Sequence, residues 1–282
     1  MSPTVLVTGP TGTTGRATVQ ALLAAGATLR VASRQAADPR LPAGVAAVPF
    51  DWEDRRTWAP ALDGVDALSL VTPSFHPDEG SLAADLAAAA VRAGVRRIVK
   101  LSAMGVEQMP ENGHRQAEIA IERSGAAWIH LRPNFFMENF IHFYGEGIRT
   151  AGGIFLPAGD GASSFVAAAD IGRAAAAALL STRSGEAWDL TGPAALTHTE
   201  VAAILSAQRG TPVVYHALPA DVARAQWASF GMSPFAIARM DMLYAAVSAG
   251  WCAAVTDTVA RETGRAPLDF ATWAHAQGPV WG

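Results

Sequence analysis

The stretch Val5-Leu-Val-Thr-Gly-Pro-Thr-Gly-Thr-Thr-Gly15 constrains this chain more than any other. A short strand over 4–8 runs into three glycines, and a helix follows from about 15 to 25, ended by Gly26. In this context each glycine has a physical reason. Gly9 permits the tight turn, Gly12 lets backbone approach a pyrophosphate, and Gly15 lets the helix pack closely on the strand. The helix start then offers unpaired N–H groups and a positive dipole end to phosphates. Thr8, Thr11, Thr13 and Thr14 fall among the candidate phosphate-side residues. The spacing is a variant of the GxGxxG fingerprint, and the alternative is a glycine-rich turn with no ligand.

The segments beyond the loop fix the fold class. Apolar runs at 29–33, 46–50, 67–71, 97–101 and 128–131 read as strands, alternating with helices at 54–62, 81–93 and 116–124. Strands this uniformly apolar have no wet face, so they belong to a parallel sheet covered by helices on both sides. The expectation is an α/β, Rossmann-type doubly wound sheet with a smaller C-terminal α/β substrate lobe. A single NAD(P)-binding domain spans 1–282, with 1–132 as the cofactor-binding core and 133–282 contributing most of the lobe. Beyond Arg132 the rhythm loosens. A loop and helix rich in Phe, Met and His fill 133–153, and a helix is expected at 169–180. A strand at 187–190, a helix at 197–208 with the capping pair Thr197 and Glu200, and a strand at 213–217 come next. The segment 220–249 reads as mostly helical. The lobe is expected over the carboxyl ends of the strands, where open α/β sheets bind ligands.

Composition removes several function classes. With 50% apolar and 16% charged residues, a sizeable core is expected. A net charge of -4 argues against nucleic acid as a partner. Cys252 is the sole cysteine, which excludes an internal disulfide and a Cys-rich zinc site. His130, His142 and His216 lack partners at ligand spacing, so no metal is expected. The apolar start at 5–7 is broken by Thr8 and Gly9, and no run approaches a membrane span. A soluble, cytoplasmic protein with no membrane partner is the expectation.

The second strand discriminates between cofactors. NAD-selective sites end it with an acid for the ribose hydroxyls. Here it ends Val31-Ala-Ser-Arg34, with no acid until Asp38. Arg34 suits a bidentate contact with a 2′-phosphate and Ser33 an added hydrogen bond, so NADP(H) is favoured over NAD(H). A solvated surface arginine is the alternative. Asp51 and Trp52, after the third strand, are placed to border the adenine. Thr72 and Pro73, after the fourth, would run beneath the nicotinamide ribose.

Taken together, Gly9-xx-Gly12-xx-Gly15-Arg16, Asp51, Val99-Lys-Leu-Ser102-Ala and Leu131-Arg-Pro-Asn-Phe-Phe-Met-Glu-Asn139 resemble the NmrA-like proteins. These are atypical short-chain dehydrogenases/reductases. Asp170-Ile171 and Leu190-Thr-Gly-Pro193 extend the resemblance over nearly the whole chain. It implies kinship with NADPH-dependent quinone, triphenylmethane dye and iminium reductases, and with redox sensors that bind the dinucleotide without turning it over. The departure is the missing Tyr-xxx-Lys pair: Tyr144, Tyr215 and Tyr244 have no lysine four residues on, and Lys100 is the only lysine. At the corresponding place His114 and Glu118 share that spacing and one helix face, as in the quinone-reductase branch.

Several residues stand as candidates for the chemistry. Ser102 lies where the superfamily's catalytic serine falls; it either orients substrate or bonds to backbone at the strand end. His114 suits a general acid near neutrality, or is a solvated histidine at a helix start. Lys100 is grouped with the cofactor residues, with an ion-pair role set against catalysis. His76, in the loop after the fourth strand, is a candidate substrate contact or a solvated loop residue. Met104, Asn134, Phe135, Phe136 and Trp227 are read as lining an apolar pocket for a flat ring system, against the alternative that the aromatic cluster is core. The expected function is an NADPH-dependent reductase transferring hydride to a conjugated, quinone-like or iminium small molecule, hydrophobic or aromatic in character. The alternative is a non-catalytic NADP(H)-binding redox sensor. Oligomeric state stays open.

Overall fold

The computed structural model of the protein describes residues 3–35, 38, 40–42 and 44–281. Strand β1 (Thr4–Val7) leads into α1 (Thr13–Ala24). Then come β2 (Thr28–Ser33), β3 (Ala46–Pro49), α2 (Trp58–Leu62), β4 (Ala67–Leu70) and α3 (Glu79–Arg92). β5 (Arg97–Leu101), α4 (Gly113–Glu122) and β6 (Ala127–Pro133) complete the regular alternation. The chain continues through α5 (Asn139–His142), α6 (Gly145–Ala151), β7 (Gly153–Leu156), β8 (Ala162–Ser163), α7 (Ala168–Leu180) and β9 (Glu186–Leu190). β10 (Leu196–Thr197), α8 (His198–Arg209), β11 (Val214–Ala217), α9 (Ala220–Ser229), α10 (Pro234–Ser248), α11 (Thr258–Thr263) and α12 (Phe270–Ala276) complete the order.

These elements form two compact units. The first takes the chain through Pro133, then Ala168–Leu190 and Arg261–Gly264. Its sheet has seven strands in the order β3-β2-β1-β4-β5-β6-β9, and every pairing is parallel. The strand order reverses at β1, flanked by β2 and β4, which is the switch point where such sheets bind ligands. Both faces are covered, as the apolar strands require. Leu6, Leu68, Leu70 and Ile98 pack with Trp58 and Leu62 of α2, Leu82 and Leu86 of α3, and Ile121 of α4. Beyond the other face, α1 and α7 cross tightly: a Cβ on Gly172 would lie 2.5 Å from the Ala17 carbonyl.

The structure departs from the sequence reading in two places here. Instead of one helix at 54–62 there is a 3-10 turn, Arg55–Thr57, capped by the Asp54 side chain, before α2. Pro60 has no N–H to donate, so it is accommodated only within the first turn of a helix that begins at Trp58. The segment 168–190 lies with the first unit, its strand β9 extending the main sheet beside β6.

The second unit comprises Asn134–Ala167, Thr191–Ala260 and Arg265–Gly282. It holds two small sheets, parallel β7 with β11 and antiparallel β8 with β10. The capping box at Thr197 and Glu200 starts α8 as the sequence predicts. The core is aromatic. Phe140 meets Phe165 and Phe270 edge-on, each at 5.2 Å between centroids, and Trp227 stacks on Tyr244. Among the described residues no helix is long and apolar enough to cross a membrane.

Candidate functional site

The glycine loop is built as its residues dictate. Gly9 turns with a φ of +60°, and its carbonyl accepts from Gly12 N at 3.1 Å. A Cβ on Gly15 would lie 2.0 Å from the Gly9 oxygen, so no other residue fits there without moving the turn. α1 begins with Gly12 at its N-cap, no side chain caps it, and its first turn contains no acid. Helix-start N–H groups are therefore left for an external anion, and the residues fit a dinucleotide pyrophosphate. Thr8 is buried; its hydroxyl donates to the Val71 carbonyl at 2.9 Å and accepts from Val71 N at 2.8 Å. It pins β1 to the end of β4 and shapes the loop. Thr14 is buried, while Thr11 and Thr13 are half-buried beside Gly12.

Arg34 is exposed just past β2, and among the described residues it has no acidic partner. Asp38, the first acid after that strand, is taken up by Arg40, at 2.9 Å from Nε and 2.6 Å from a terminal guanidinium nitrogen. The Arg40 bonds hold its carboxyl down at about 2. Ser33 accepts from Gln35 N at 3.2 Å. Asp51 accepts from Glu53 N through its side chain, and Trp52 packs edge-on to Phe50 and Trp58.

At the ends of β4 and β5 the structure assembles a charged group that sequence spacing did not predict. Lys100 is fully buried; its Nζ lies 2.7 Å from the Leu101 carbonyl and 3.0 Å from His114 Nδ1. The same His114 nitrogen lies 2.8 Å from Glu79 Oε1, and that oxygen accepts from the Thr72 hydroxyl at 2.6 Å. Burial pushes the Glu79 carboxyl up, but the His114 bond, the His114 and Lys100 charges and the Thr72 bond outweigh it and hold it at about 2. Burial lowers Lys100 to about 8 against the pull of Glu79 and Glu118. Thus Thr72, Lys100 and His114, three of the residues singled out from sequence, come together around Glu79, which was not. Its signal was present: a glutamate and a glycine at one helix start, a glycine and a histidine at another.

His114 and Glu118 share a helix, as predicted, but serve different partners. Glu118 is fully buried and accepts two bonds from Arg132, at 2.9 and 2.8 Å, and a third from Arg115 at 2.9 Å. The buried Ser102 hydroxyl faces this carboxylate and meets no partner with full hydrogen-bond geometry. Burial raises Glu118, and the Arg132 and Ser102 contacts overturn that, leaving it at about 2. Donor atoms of Glu118, Glu122 and His130 lie within 4.8 Å of one another. Both carboxylates are already occupied by Arg115 and Arg132, whose charges compete with any metal ion.

The remaining candidates lie in loops and in the second unit. His76 accepts from Asp78 N at 3.1 Å through Nδ1, and its Nε2 lies 3.3 Å from Glu53, in a loop where Phe75 adopts a φ of 56°. Pro73 is half-buried in that loop. Met104 N donates to the Pro133 carbonyl at 3.2 Å. In the second unit the Asn134 amide donates to Ser164 and to the Cys252 carbonyl, at 2.8 and 2.7 Å. Phe135 packs on Phe165 and Tyr244, Trp227 is buried, and Phe136 bridges to Val166. An apolar cavity of about 150 Å³ in that unit is lined by other residues, including Met137, Phe165, Leu196, Ile204 and Phe270. Tyr244 is buried and Tyr144 half-buried; the two are bonded to each other, and neither is near a lysine in sequence.

The family model described as NmrA-like family matches residues 1–250. The NAD(P)H azoreductase of Xenophilus azovorans is 36% identical over 291 residues, covering 99% of each chain. The (4-alkanoyl-5-oxo-2,5-dihydrofuran-3-yl)methyl phosphate reductase of Streptomyces griseus is 36% identical over 283 residues, covering 97% of this chain and 98% of the relative. Among solved structures, an NADPH-dependent quinone oxidoreductase of Escherichia coli complexed with NADPH is similar with a TM-score of 0.85. It is 25% identical, covering 97% of this chain and 99% of that one.

Proposed function

The chain belongs to the NmrA-like family and is an NAD(P)H-dependent oxidoreductase, and on that footing we propose that it is an NADPH-dependent reductase handing hydride to a conjugated, quinone-like or iminium small molecule in an apolar pocket. The observation that carries the reading is the uncapped, acid-free start of α1 behind a turn that only glycine at position 15 allows. The relatives' names carry azo, quinone and oxo-dihydrofuran groups. Such conjugated systems spread incoming negative charge, so their reduction does not depend on the strong, prompt acid that a simple ketone needs.

A nicotinamide dinucleotide, when bound, supplies the hydride. The chain's own residues bind and orient it: the N–H groups around Gly12, Thr13 and Thr14 hold pyrophosphate, and Arg34 with Ser33 takes the 2′-phosphate. Asp38 is held by Arg40 and so does not compete for the ribose, which favours NADPH over NADH. Asp51 and Trp52 border the adenine; Thr72, Pro73 and Lys100 border the nicotinamide ribose. His114 holds a proton beside them, with Ser102 as a second candidate catalytic group. A cytoplasmic location and a small hydrophobic or aromatic molecule as substrate go with this reading.

Purified protein is expected to oxidise NADPH when a quinone or azo acceptor is present, read as loss of reduced-nicotinamide absorbance. Tight NADPH binding with no turnover across quinones, azo dyes and cyclic iminium ions would overturn the reductase and leave a redox sensor. Arg34→Ala is expected to weaken NADPH by about tenfold or more, with NADH little affected. An equal loss for both cofactors would remove the NADPH preference.

A further inference from the structure

The starts of α3 and α4 approach each other unusually closely. A Cβ on Gly80 would lie 3.1 Å from the Gly113 carbonyl and 2.9 Å from Gln116 Oε1, and one on Gly113 would lie 3.3 Å from Gly80 N. Glycine at both positions lets two helix N-termini meet, and each brings a titratable neighbour. Glu79 is the first residue of α3 and His114 the second of α4. Both positive helix ends favour an anion there, and Glu79 is buried.

The geometry at His114 Nδ1 then poses a proton-counting problem. One ring nitrogen cannot donate to the Glu79 carboxylate and also accept from the Lys100 ammonium. With Lys100 charged, Nδ1 carries no proton and accepts from Nζ. With Nδ1 protonated and bonded to Glu79, a charged Lys100 would face an imidazole N–H at 3.0 Å, which favours the neutral amine. The two nitrogens, 3.0 Å apart, therefore share one proton. When it moves, the Nζ–H bond breaks, the electron pair stays on Lys100, and a new N–H bond makes His114 an imidazolium.

We infer that Glu79 is a positioning residue that draws this shared proton from Lys100 onto His114, keeping His114 charged as the acid of the reductase; the inference rests on the proposed function for its catalytic meaning. Glu79 bonds directly to Nδ1, whereas it reaches Lys100 only through longer-range attraction. The other charged groups around the pair are consistent with this bias. Glu118 on α4 also attracts Lys100, but it is bonded to Arg132 and Arg115. His130 on β6, pushed down to about 4 chiefly by burial, contributes no charge near neutrality.

The test tracks the His114 ring by side-chain NMR through a pH titration of the cofactor-free protein, with the pH dependence of turnover measured in parallel. In Glu79→Gln the His114 midpoint is expected to fall by about one pH unit or more, because its anion is gone. In Lys100→Met it is expected to rise, because the base that competes for the shared proton is gone. Glu79→Asp, which keeps the charge on a shorter arm, should fall between wild type and Glu79→Gln. A side chain that merely filled space would not move the midpoint in opposite directions. An unchanged midpoint in Glu79→Gln, or a fall in Lys100→Met, overturns the inference. If Glu79→Gln does not fold, Glu79→Asp decides the matter, since a midpoint no lower than wild type there overturns the inference. Opposed shifts without turnover would support the proton pair and sink the reductase; turnover without them would do the reverse.

Discussion

The two units bury different things. The first buries charge: Lys100 and Glu118 are fully inaccessible, and Glu79 nearly so, with His114 beside Glu79 and Arg132 beside Glu118. The second buries rings, with Phe140, Phe165, Phe270, Trp227 and Trp273 in one cluster. Among the described residues its buried polar side chains are Asn134, Ser163, Ser164, Thr191, His198 and Thr258. Charge can only be buried where partners are supplied from several elements at once, and a parallel sheet with helix starts at one end provides them. An aromatic core asks only for complementary shape. The first unit is therefore suited to holding protons and phosphates, and it should be sensitive to the loss of a single partner.

That contrast is exposed most strongly by paired truncations. Glu118→Ala leaves Arg132 with Glu107 at 3.1 Å as its remaining partner and is expected to cost about 3–5 kcal/mol. Replacing Glu118 and Arg132 together by leucine should recover a large part of that, because no buried charge is orphaned. Phe140→Leu in the second unit, losing volume among Tyr144, Phe165 and Phe270, should cost about 1–2 kcal/mol. Urea unfolding of the four proteins checks this. If Phe140→Leu proved the more damaging, or the double variant cost as much as Glu118→Ala, the distinction between the units would fail.

Acid separates them next. Burial pushes His130 in the first unit and His198 in the second from 6.5 down to about 4. Between those values the unfolded chain binds protons that the folded one does not, so each unit loses stability as pH falls through this window. Glu79 and Glu118 behave differently: their folded values, at about 2, lie below the ordinary 4.5. The stability these two buried carboxylates contribute to the first unit is present above 4.5 and lost as pH falls towards 2; in the second unit the lowered carboxylates, Glu200 and Asp269, sit near the surface as helix caps. Tryptophans report the two regions, Trp58 and Trp188 in one, Trp227 and Trp273 in the other. Single-tryptophan variants should show both units weakening between pH 6.5 and 4, with the larger further loss below 4.5 in the first, where the lowered carboxylates are buried. A second unit that alone kept weakening below 4.5 would contradict this.

How much of the molecule was legible in the sequence depended on the range of the forces involved. The glycine loop, the strand alternation and the Thr197–Glu200 cap are set by neighbours within a few residues, and they stand in the structure where they were read. His114 and Glu118 were legible as a shared face, but apart from Arg115 the side chains that engage them come from 14 or more residues away: Arg132 for Glu118, Glu79 and Lys100 for His114. Periodicity carries no information about such pairings. The same limit applies to β7, whose Gly-Ile-Phe-Leu reads as a strand only once β11 lies beside it. Asn134 and Trp227 show the converse. Polar and aromatic residues next to an expected ligand crevice look like lining, yet the Asn134 amide is held by Ser164 and the Cys252 carbonyl, and Trp227 by Tyr244.

The smallest expected effect is also the sharpest test of which unit holds the proton chemistry. Tyr144 and Tyr244 share a hydrogen bond inside the second unit, and burial raises Tyr144 to about 12 and Tyr244 well above its ordinary value. Tyrosines held so firmly protonated do not exchange protons near neutrality, so neither replaces the acid of a Tyr-xxx-Lys pair. Tyr144→Phe should cost about 1–2 kcal/mol, because the Tyr244 hydroxyl is left buried without its partner. Changing both to phenylalanine removes donor and acceptor together and should return stability close to wild type. Neither change should move the pH profile of turnover, whereas substitutions at Glu79 and Lys100 should. A shift of that profile in Tyr144→Phe would relocate the acid to the second unit and dissolve the division of labour between charge and shape.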